Sequence, residues 1–456
     1  MLSISILSKI NILVLDWRQK ARAPVNKPKT NTDQRRQKIL VHAINFAPEL
    51  IGCAKYTTEL CQFLAAQGHN VEVVTAPPHY PGWVVRSPYR SWVYKREAFG
   101  PIQITRCPMV MKAGAHGFWR LLAPLSFAVA AAPIVTWRVF RFRPDVILCV
   151  EPTLFSVPIA LIAAKLVRAR SVLHVQDLEV DAAFEVGHLS GAGIRKIANH
   201  LERRLLDSFD QIVTISEKMR EALLIKGLRS ANVIVIRNWV NLDMICPLPR
   251  DLNAFRRFFG FSDQDFIVLY AGHVGVKQGL DVVLKAARRL AVRQAIHFII
   301  VGDGPMLGEL KQEFADIENV AYLPLQPNDQ LSELLAMADL HVLPQLPGAA
   351  DLVLPSKLGG MLASARLIAA TAAPGTEIFN ILQGVAILSA PGDDEGLAQS
   401  ILSAHSRDFS ANIARGLAVA ETLSSARLLP NFERLLVGQT NASQNKGERF
   451  AKLANP

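Results

Sequence analysis

The chain has 456 residues, a length that suits two or three domains rather than one. Half of the residues are apolar and 20% are charged, which excludes wholesale disorder; five scattered cysteines without a CxxC pair exclude a disulfide framework and a zinc spacing and fit a reducing compartment. Charge is lopsided: residues 1–230 hold 31 Lys and Arg against 17 Asp and Glu, and residues 231–456 hold 19 against 22, so only the amino half is set to meet a polyanion.

Residues 1–16 are apolar but broken by Lys9 and Asn11, with no small-residue cleavage site after them. That makes a poor signal peptide, and one too short to span a bilayer. Residues 1–37 therefore read as a flexible leader. The first domain, 38–240, opens with the apolar strand KILVHAIN and the loop FAPELIGCAK. Tyr56, Leu60, Phe63 and Leu64 then recur on one helical face, Gly68 stops that helix, and Val71, Val73 and Val74 resume a strand. This is a right-handed βαβ unit.

The apolar run Leu121–Trp137 is 17 residues long, contains Pro124 and Pro133, and is flanked by Arg120 and Arg138. A spanning helix needs roughly 20 apolar residues. Two readings fit the run. One is a helix or helix pair at a membrane interface, with Trp119 and Trp137 at headgroup level and Arg138, Arg141 and Arg143 beside them. The other is a buried crossover helix between strands. Further short strands follow in PDVILCVEP (144–152), SVLHVQD (171–177), QIVTIS (211–216) and ANVIVIRN (231–238).

Periodicity fades over 239–265, where Pro247 and Pro249 suggest a hinge. A second β/α alternation fills 241–424: FIVLYAG (266–272), a helix, HFIIVGDGP (297–305), a helix, VAYLPL, a helix, LHVLPQ, a helix around 356–364, LIAATA and VAILSA. Residues 425–440 are expected to form a helix packing back on the first domain, and 441–456 a flexible tail. The class is α/β, with two doubly wound sheets facing a cleft. Ligands of such sheets bind at the carboxyl ends of the strands, so the loops after the strands are where chemistry belongs.

Seven motifs in order, PELIGCAKYTTELCQFLAAQGHNVEVVTAPPHYP, HVQDLEVDA, YAGHVGVKQGL, VGDGP, LPLQP, ADLVLPSKL and PGTEI, resemble the retaining, nucleotide-sugar-dependent glycosyltransferases of GT-B fold (family 4, glycosyl transferases group 1), and among them the colanic-acid-type exopolysaccharide enzymes. The resemblance covers roughly 38–435. It implies two Rossmann-like domains, acceptor-side first and donor-side second.

Each motif also has a reading of its own. Gly52 stands where a strand turns into a helix, so it is either a steric glycine or a place where backbone N–H groups meet a phosphate or the acceptor. The family commonly has two adjacent glycines here, and this chain has Ile51 before Gly52. His174 and Asp177 end a buried strand. The resemblance puts the histidine beside the transferred sugar, and a core histidine satisfied by a carbonyl is the plainer alternative. Glu179 and Asp181 follow as solvated charge or acceptor contacts.

In the second domain, Lys277 matches the lysine that neutralises the donor diphosphate. His273 replaces a frequent arginine, so Lys357 is expected to share that task. Gly302 and Gly304 make a tight turn after a strand; the resemblance implies that this turn shapes the base pocket and that Leu325 and Gln326 border it. The family carries two glutamates eight positions apart. Asp351 is the nearest match to the first, whereas Gly360 occupies the second and removes the ribose clamp; Pro355, Ser356 and Lys357 keep the PSK variant.

The resemblance implies front-face displacement in which the departing diphosphate takes the acceptor proton, with no protein nucleophile, cofactor or metal. Such catalysis is mostly positioning and charge stabilisation. The substrate is then a UDP- or GDP-linked sugar. The partners are a lipid-linked saccharide acceptor and the inner membrane surface, met through the basic domain, without nucleic acid. The location is cytoplasmic, peripheral at the inner face of the plasma membrane. Two alternatives stay open on the same architecture: a nucleotide-sugar epimerase or hydrolase, and a degenerate non-catalytic relative in a synthesis complex. A dehydrogenase is disfavoured, because PELIGC replaces GxGxxG after the first strand.

Overall fold

The computed structural model describes residues 36–49, 52–80, 82–111, 118–152, 154–181, 191–251, 253–346 and 354–439. They form two compact units. One takes the chain up to Asn238 together with the segment from Leu428; the other runs from Trp239 to Arg427.

The amino-terminal unit is an eight-stranded sheet of order β3-β4-β2-β1-β5-β6-β7-β8. Its strands are β1 Lys38–Ala43, β2 Asn70–Thr75, β3 Lys95–Phe99, β4 Ile102–Arg106, β5 Val146–Glu151, β6 Arg170–Val175, β7 Gln211–Thr214 and β8 Val233–Val235. All pair parallel except β3 on β4. Apolar runs such as Ile39–Val41 and Ile147–Cys149 are fully buried, as expected of strands covered on both faces. The β3–β4 hairpin has no counterpart in the sequence reading. Its edge strand KREAF is charged and mostly exposed, so no apolar run announces it.

Three helices matter for function. Helix α1 (Cys53–Ala66) follows β1. Gly68, at φ 90°, lets the chain leave that helix and start β2. Helix α2 (Phe118–Phe142) crosses from β4 to β5 and carries Pro124 and Pro133. Leu121–Phe142 is long and apolar enough to cross a membrane, at a mean hydropathy of 1.5. Even so, its stripe Phe127, Ala131, Val135 and Val139 is wholly buried, with Phe127 stacked 5.5 Å from His42 of β1. The crossover reading therefore describes its inner face. The side chain of Trp119 lies outside the described residues. Helix α3 (Val157–Val167) follows β5 and packs beside α2.

The carboxy-terminal unit is a wholly parallel six-stranded sheet of order β11-β10-β9-β12-β13-β14. Its strands are β9 Phe266–Ala271, β10 Ile296–Val301, β11 Val320–Leu323, β12 Leu340–Leu343, β13 Leu367–Thr371 and β14 Ile387–Ser389. Alternate residues feed two separate cores. Val268, Tyr270, Phe298 and Ile300 face one; Ile267, Leu269, Ile299 and Val301 face the other. Helix α4 (Lys357–Ala363) follows the loop after β12, and α5 (Ser425–Leu436) ends the described chain.

The stretch expected to act as a hinge is instead largely built into this unit. Val240 pairs with Ser424, and Arg256 is buried with its guanidinium 3.0 Å from Asp339. Proline and mixed charge fit an anchored connection as well as a loose one. Beyond Leu428, α5 belongs to the amino-terminal unit. There Glu433 bonds His69 at 2.9 Å, and the Phe432 ring lies 4.9 Å from His174.

Candidate active site

Strand order reverses between β1 and β5 in the first sheet and between β9 and β12 in the second. Such switch points open a crevice at the carboxyl ends of the strands. The sequence-predicted residues within the described chain distribute over these ends.

In the amino-terminal unit, Gly52 caps α1 at φ 64° and ψ −144°. A Cβ there would meet only Tyr80, at 3.9 Å, so backbone conformation rather than crowding demands glycine. Glu49, which sequence reasoning missed, fixes the neighbourhood. One carboxylate oxygen accepts the amides of His79 and Tyr80 at 2.6 and 2.7 Å, and the other accepts Asn45 Nδ2 at 2.9 Å. The loops after β1 and β2 are thereby held together.

His174 is 1% exposed. Its Nε2 faces the Gln176 amide at 3.2 Å, and that amide's oxygen accepts Asn238 at 3.1 Å. Nδ1 meets no hydrogen-bond partner among the described residues. Burial lowers its pKa to about 3, so the ring is neutral. A carbonyl-satisfied core histidine does not describe it, and neither does an open, solvent-facing one. Asp177 is exposed just past the strand, and Asp181 pairs with Lys226 at 2.7 Å. Glu179 accepts the Leu154 amide, and its carboxyl is pushed up to about 7, chiefly by burial.

Glu151, at the end of β5, is a second residue that the sequence reading passed over. It is wholly buried, and neither carboxyl oxygen meets a partner among the described residues. Burial first, and then Glu179 and Glu202, hold its pKa well above the carboxylate range.

In the carboxy-terminal unit the loops after β9 and β10 lie backbone against backbone. Gly272 and Val274 donate to Val301 and Asp303 carbonyls, each at 2.9 Å. A Cβ on Gly302 would fall 1.9 Å from the Gly272 oxygen, and one on Gly304 would fall 2.2 Å from the Val274 oxygen. Glycine at both positions is a condition of that approach. Lys277 is exposed on the turn Val276–Gln278, and His273 is exposed beside it.

Lys357 enters α4 and runs along Gly272, with its Nζ 3.9 Å from the centre of the Tyr270 ring. Part of the residue is accessible, but the amine is closed off and meets no hydrogen-bond partner among the described residues. Burial alone lowers its pKa to about 7. Ser356 is exposed and makes no capping bond. Leu325 is exposed, and Gln326 folds back on its own loop to donate to the Pro324 carbonyl at 2.8 Å. Asp351 lies outside the described residues. Gly360 points into the core: a Cβ there would lie 3.2 Å from Leu335 and 3.4 Å from Ile245. A side chain at that position would need Leu335 and Ile245 to give way.

The architecture has clear counterparts among solved structures. Sucrose-phosphate synthase from Thermosynechococcus elongatus aligns with a TM-score of 0.65 at 16% identity, over 88% of this chain and 98% of that one. Anabaena HepE, solved in complex with UDP and glucose, aligns at 0.64 and 16%, over 88% and 100%. The fold is GT-B, with two Rossmann-like units. Sequence narrows this further. Residues 52–239 match the glycosyl transferase 4-like domain, and residues 265–407 match glycosyl transferases group 1. The colanic acid biosynthesis glycosyl transferase WcaI of Escherichia coli K12 is 39% identical over 406 residues, which span 87% of this chain and 98% of WcaI. The chain belongs to the group 1 glycosyltransferase family, of the colanic-acid type, and is a nucleotide-sugar glycosyltransferase.

Proposed function

We propose that the chain transfers a sugar, with retention, from a UDP- or GDP-linked donor to a lipid-linked glycan during exopolysaccharide or capsule assembly, at the cytoplasmic face of the plasma membrane. The observation that carries the reading is the Lys357 amine, buried and without a hydrogen-bond partner among the described residues, beside the bare backbone of Gly272. An amine held without a counter-ion is poised for an anion, and backbone without side chains leaves room for one to approach.

In this mechanism Lys357 and Lys277 bind the donor diphosphate and stabilise the charge that gathers on it as the glycosidic bond breaks. The leaving diphosphate takes the acceptor proton, so no side chain acts as nucleophile. His174 and Asp177 orient the sugar and the acceptor, and Asp351 meets the donor sugar. Gly52, His273, Gly302, Gly304, Leu325, Gln326 and Ser356 shape the surrounding surfaces. No cofactor or metal is part of the scheme.

The test is product analysis with UDP- and GDP-sugars, with and without a lipid-linked saccharide in vesicles. The expected outcome is an acceptor-dependent glycoside of unchanged anomeric configuration by NMR. Inverted product removes the retaining scheme. Sugar turnover that ignores the acceptor selects an epimerase or hydrolase instead.

A further inference from the structure

The outer surface of the amino-terminal unit is unlike that of a soluble domain. Opposite its buried stripe, α2 exposes Leu125, Val129, Pro133, Trp137 and Phe140, all apolar. The neighbouring α3 region repeats the pattern with Phe155, Pro158, Ile162 and Leu166. Helices facing water normally carry polar residues on that side, and paired apolar stripes mark an interaction surface. The ends of this face are cationic, with Arg141, Arg143, Lys165 and Arg168 exposed. The sequence holds no acidic residue between Glu97 and Asp145.

Beside this face lies a cavity of about 330 Å³, lined by Pro77, Tyr89, Arg90, Val93, Lys95 and Arg106 among others. Its loop is seated on α2: the Tyr94 hydroxyl donates to the Ala130 carbonyl at 2.9 Å, and the Arg96 guanidinium stacks 4.8 Å over Trp137. Glu97 offsets part of the charge, lying 3.1 Å from Lys95 and 2.5 Å from Arg106. Arg90 has no acidic partner among the described residues, so three cations meet one carboxylate. Arg106 also donates to the Ala47 and Ala76 carbonyls, which ties the cavity to the loops after β1 and β2, where Gly52 lies.

We propose that this cavity holds the phosphate or diphosphate of the acceptor while the acceptor's hydrocarbon chain lies along the α2–α3 face. The proposal rests on the lipid-linked acceptor of the reading above and gives it a site. Basic groups beside a patch of apolar and aromatic side chains match a charged head joined to a greasy tail.

Farnesyl diphosphate, farnesol and inorganic diphosphate are titrated separately into the full-length protein and its Arg90→Gln and Val129→Asp variants. Both residues are exposed, and unchanged melting temperatures confirm intact folding. Farnesyl diphosphate is expected to bind more tightly than either of the other probes. Arg90→Gln should weaken it about tenfold without affecting farnesol, whereas Val129→Asp should weaken both prenyl probes. Equal farnesyl diphosphate affinity in all three proteins overturns the proposal. Inorganic diphosphate binding as tightly as farnesyl diphosphate, and lost in Arg90→Gln, reassigns the cavity to free phosphate and removes the lipid. Undiminished transfer to a lipid-linked acceptor by Arg90→Gln removes the site but keeps the proposed reaction. Failure of the wild type on every lipid-linked acceptor, with farnesyl diphosphate still bound through Arg90, removes the reaction but keeps the site.

Discussion

Replacing Lys357 by methionine is expected to stabilise the carboxy-terminal unit while abolishing transfer. The amine's pKa falls from 10.5 to about 7 because it is shut away from water, with no hydrogen-bond partner among the described residues. At about 1.4 kcal/mol per pH unit, that fall sets a ceiling of about 5 kcal/mol on the cost of keeping lysine there at neutral pH. The unfolded chain holds the proton up to pH 10.5 and the folded unit only to about 7. Unfolded protein therefore binds more protons across that window, and wild-type stability must rise with pH through it, by up to about 1.4 kcal/mol per unit. Methionine has similar length and no charge, so the variant should be more stable at pH 7.5 by about 2 kcal/mol or more and should lose the slope. Urea dependence of hydrogen exchange at the β9 and β10 amides, measured at pH 7.5 and 9.5, reads the unit directly. A variant less stable than wild type, or one with the same pH slope, refutes the reasoning.

Lys277→Ala should abolish transfer with the fold intact, because the residue is exposed on a turn; wild-type turnover would remove it from the mechanism. Gly302→Ala should cost about 3 kcal/mol or more in chemical unfolding, since its Cβ would collide with the Gly272 carbonyl; Gly375→Ala, at φ 85° with open space around it, should cost only about 1 kcal/mol. Gly360→Glu, which restores the family carboxylate, should lower the melting temperature without tightening nucleotide binding, because the new side chain meets Leu335 and Ile245. Acid should weaken the amino-terminal unit early. His42 and His174 have pKa values lowered by burial from 6.5 to about 4 and about 3, so stability is complete above pH 6.5 and falls as pH drops below it; His174→Phe should flatten that fall in acid titrations followed by circular dichroism.

Much of the fold was legible because its strands are buried on both faces. Runs such as VILCV and FIVLY have one physical explanation, and the glycine-bearing loops after them mark the carboxyl ends where ligands bind. Gly302 and Gly304 sit in such a loop, whereas Lys357 was found through the resemblance to the family's PSK variant. Their physical roles were not legible: crowding against Gly272 and Val274, and desolvation over Tyr270, depend on residues distant in sequence. Glu151 drew no reading in the sequence, because the burial that raises its pKa, and the Glu179 and Glu202 charges that add to it, arise only from packing. Gly360 read as a lost carboxylate, whereas its surroundings are aliphatic. The β3 strand and the helix Ser410–Thr422 escaped notice because neither sits in the β/α rhythm that gave the rest away.

The docking of α5 has a consequence for synthesis. The chain from Leu428 onward supplies Phe432 against His174 and Glu433 against His69, so a fragment ending at Asn238 leaves two buried histidines uncovered. During translation the unit made first must wait, unsealed, while the whole of the other is produced. The unit that emerges second can close its core at once, and α5, made last, then brings the missing cover to the unit that was made first.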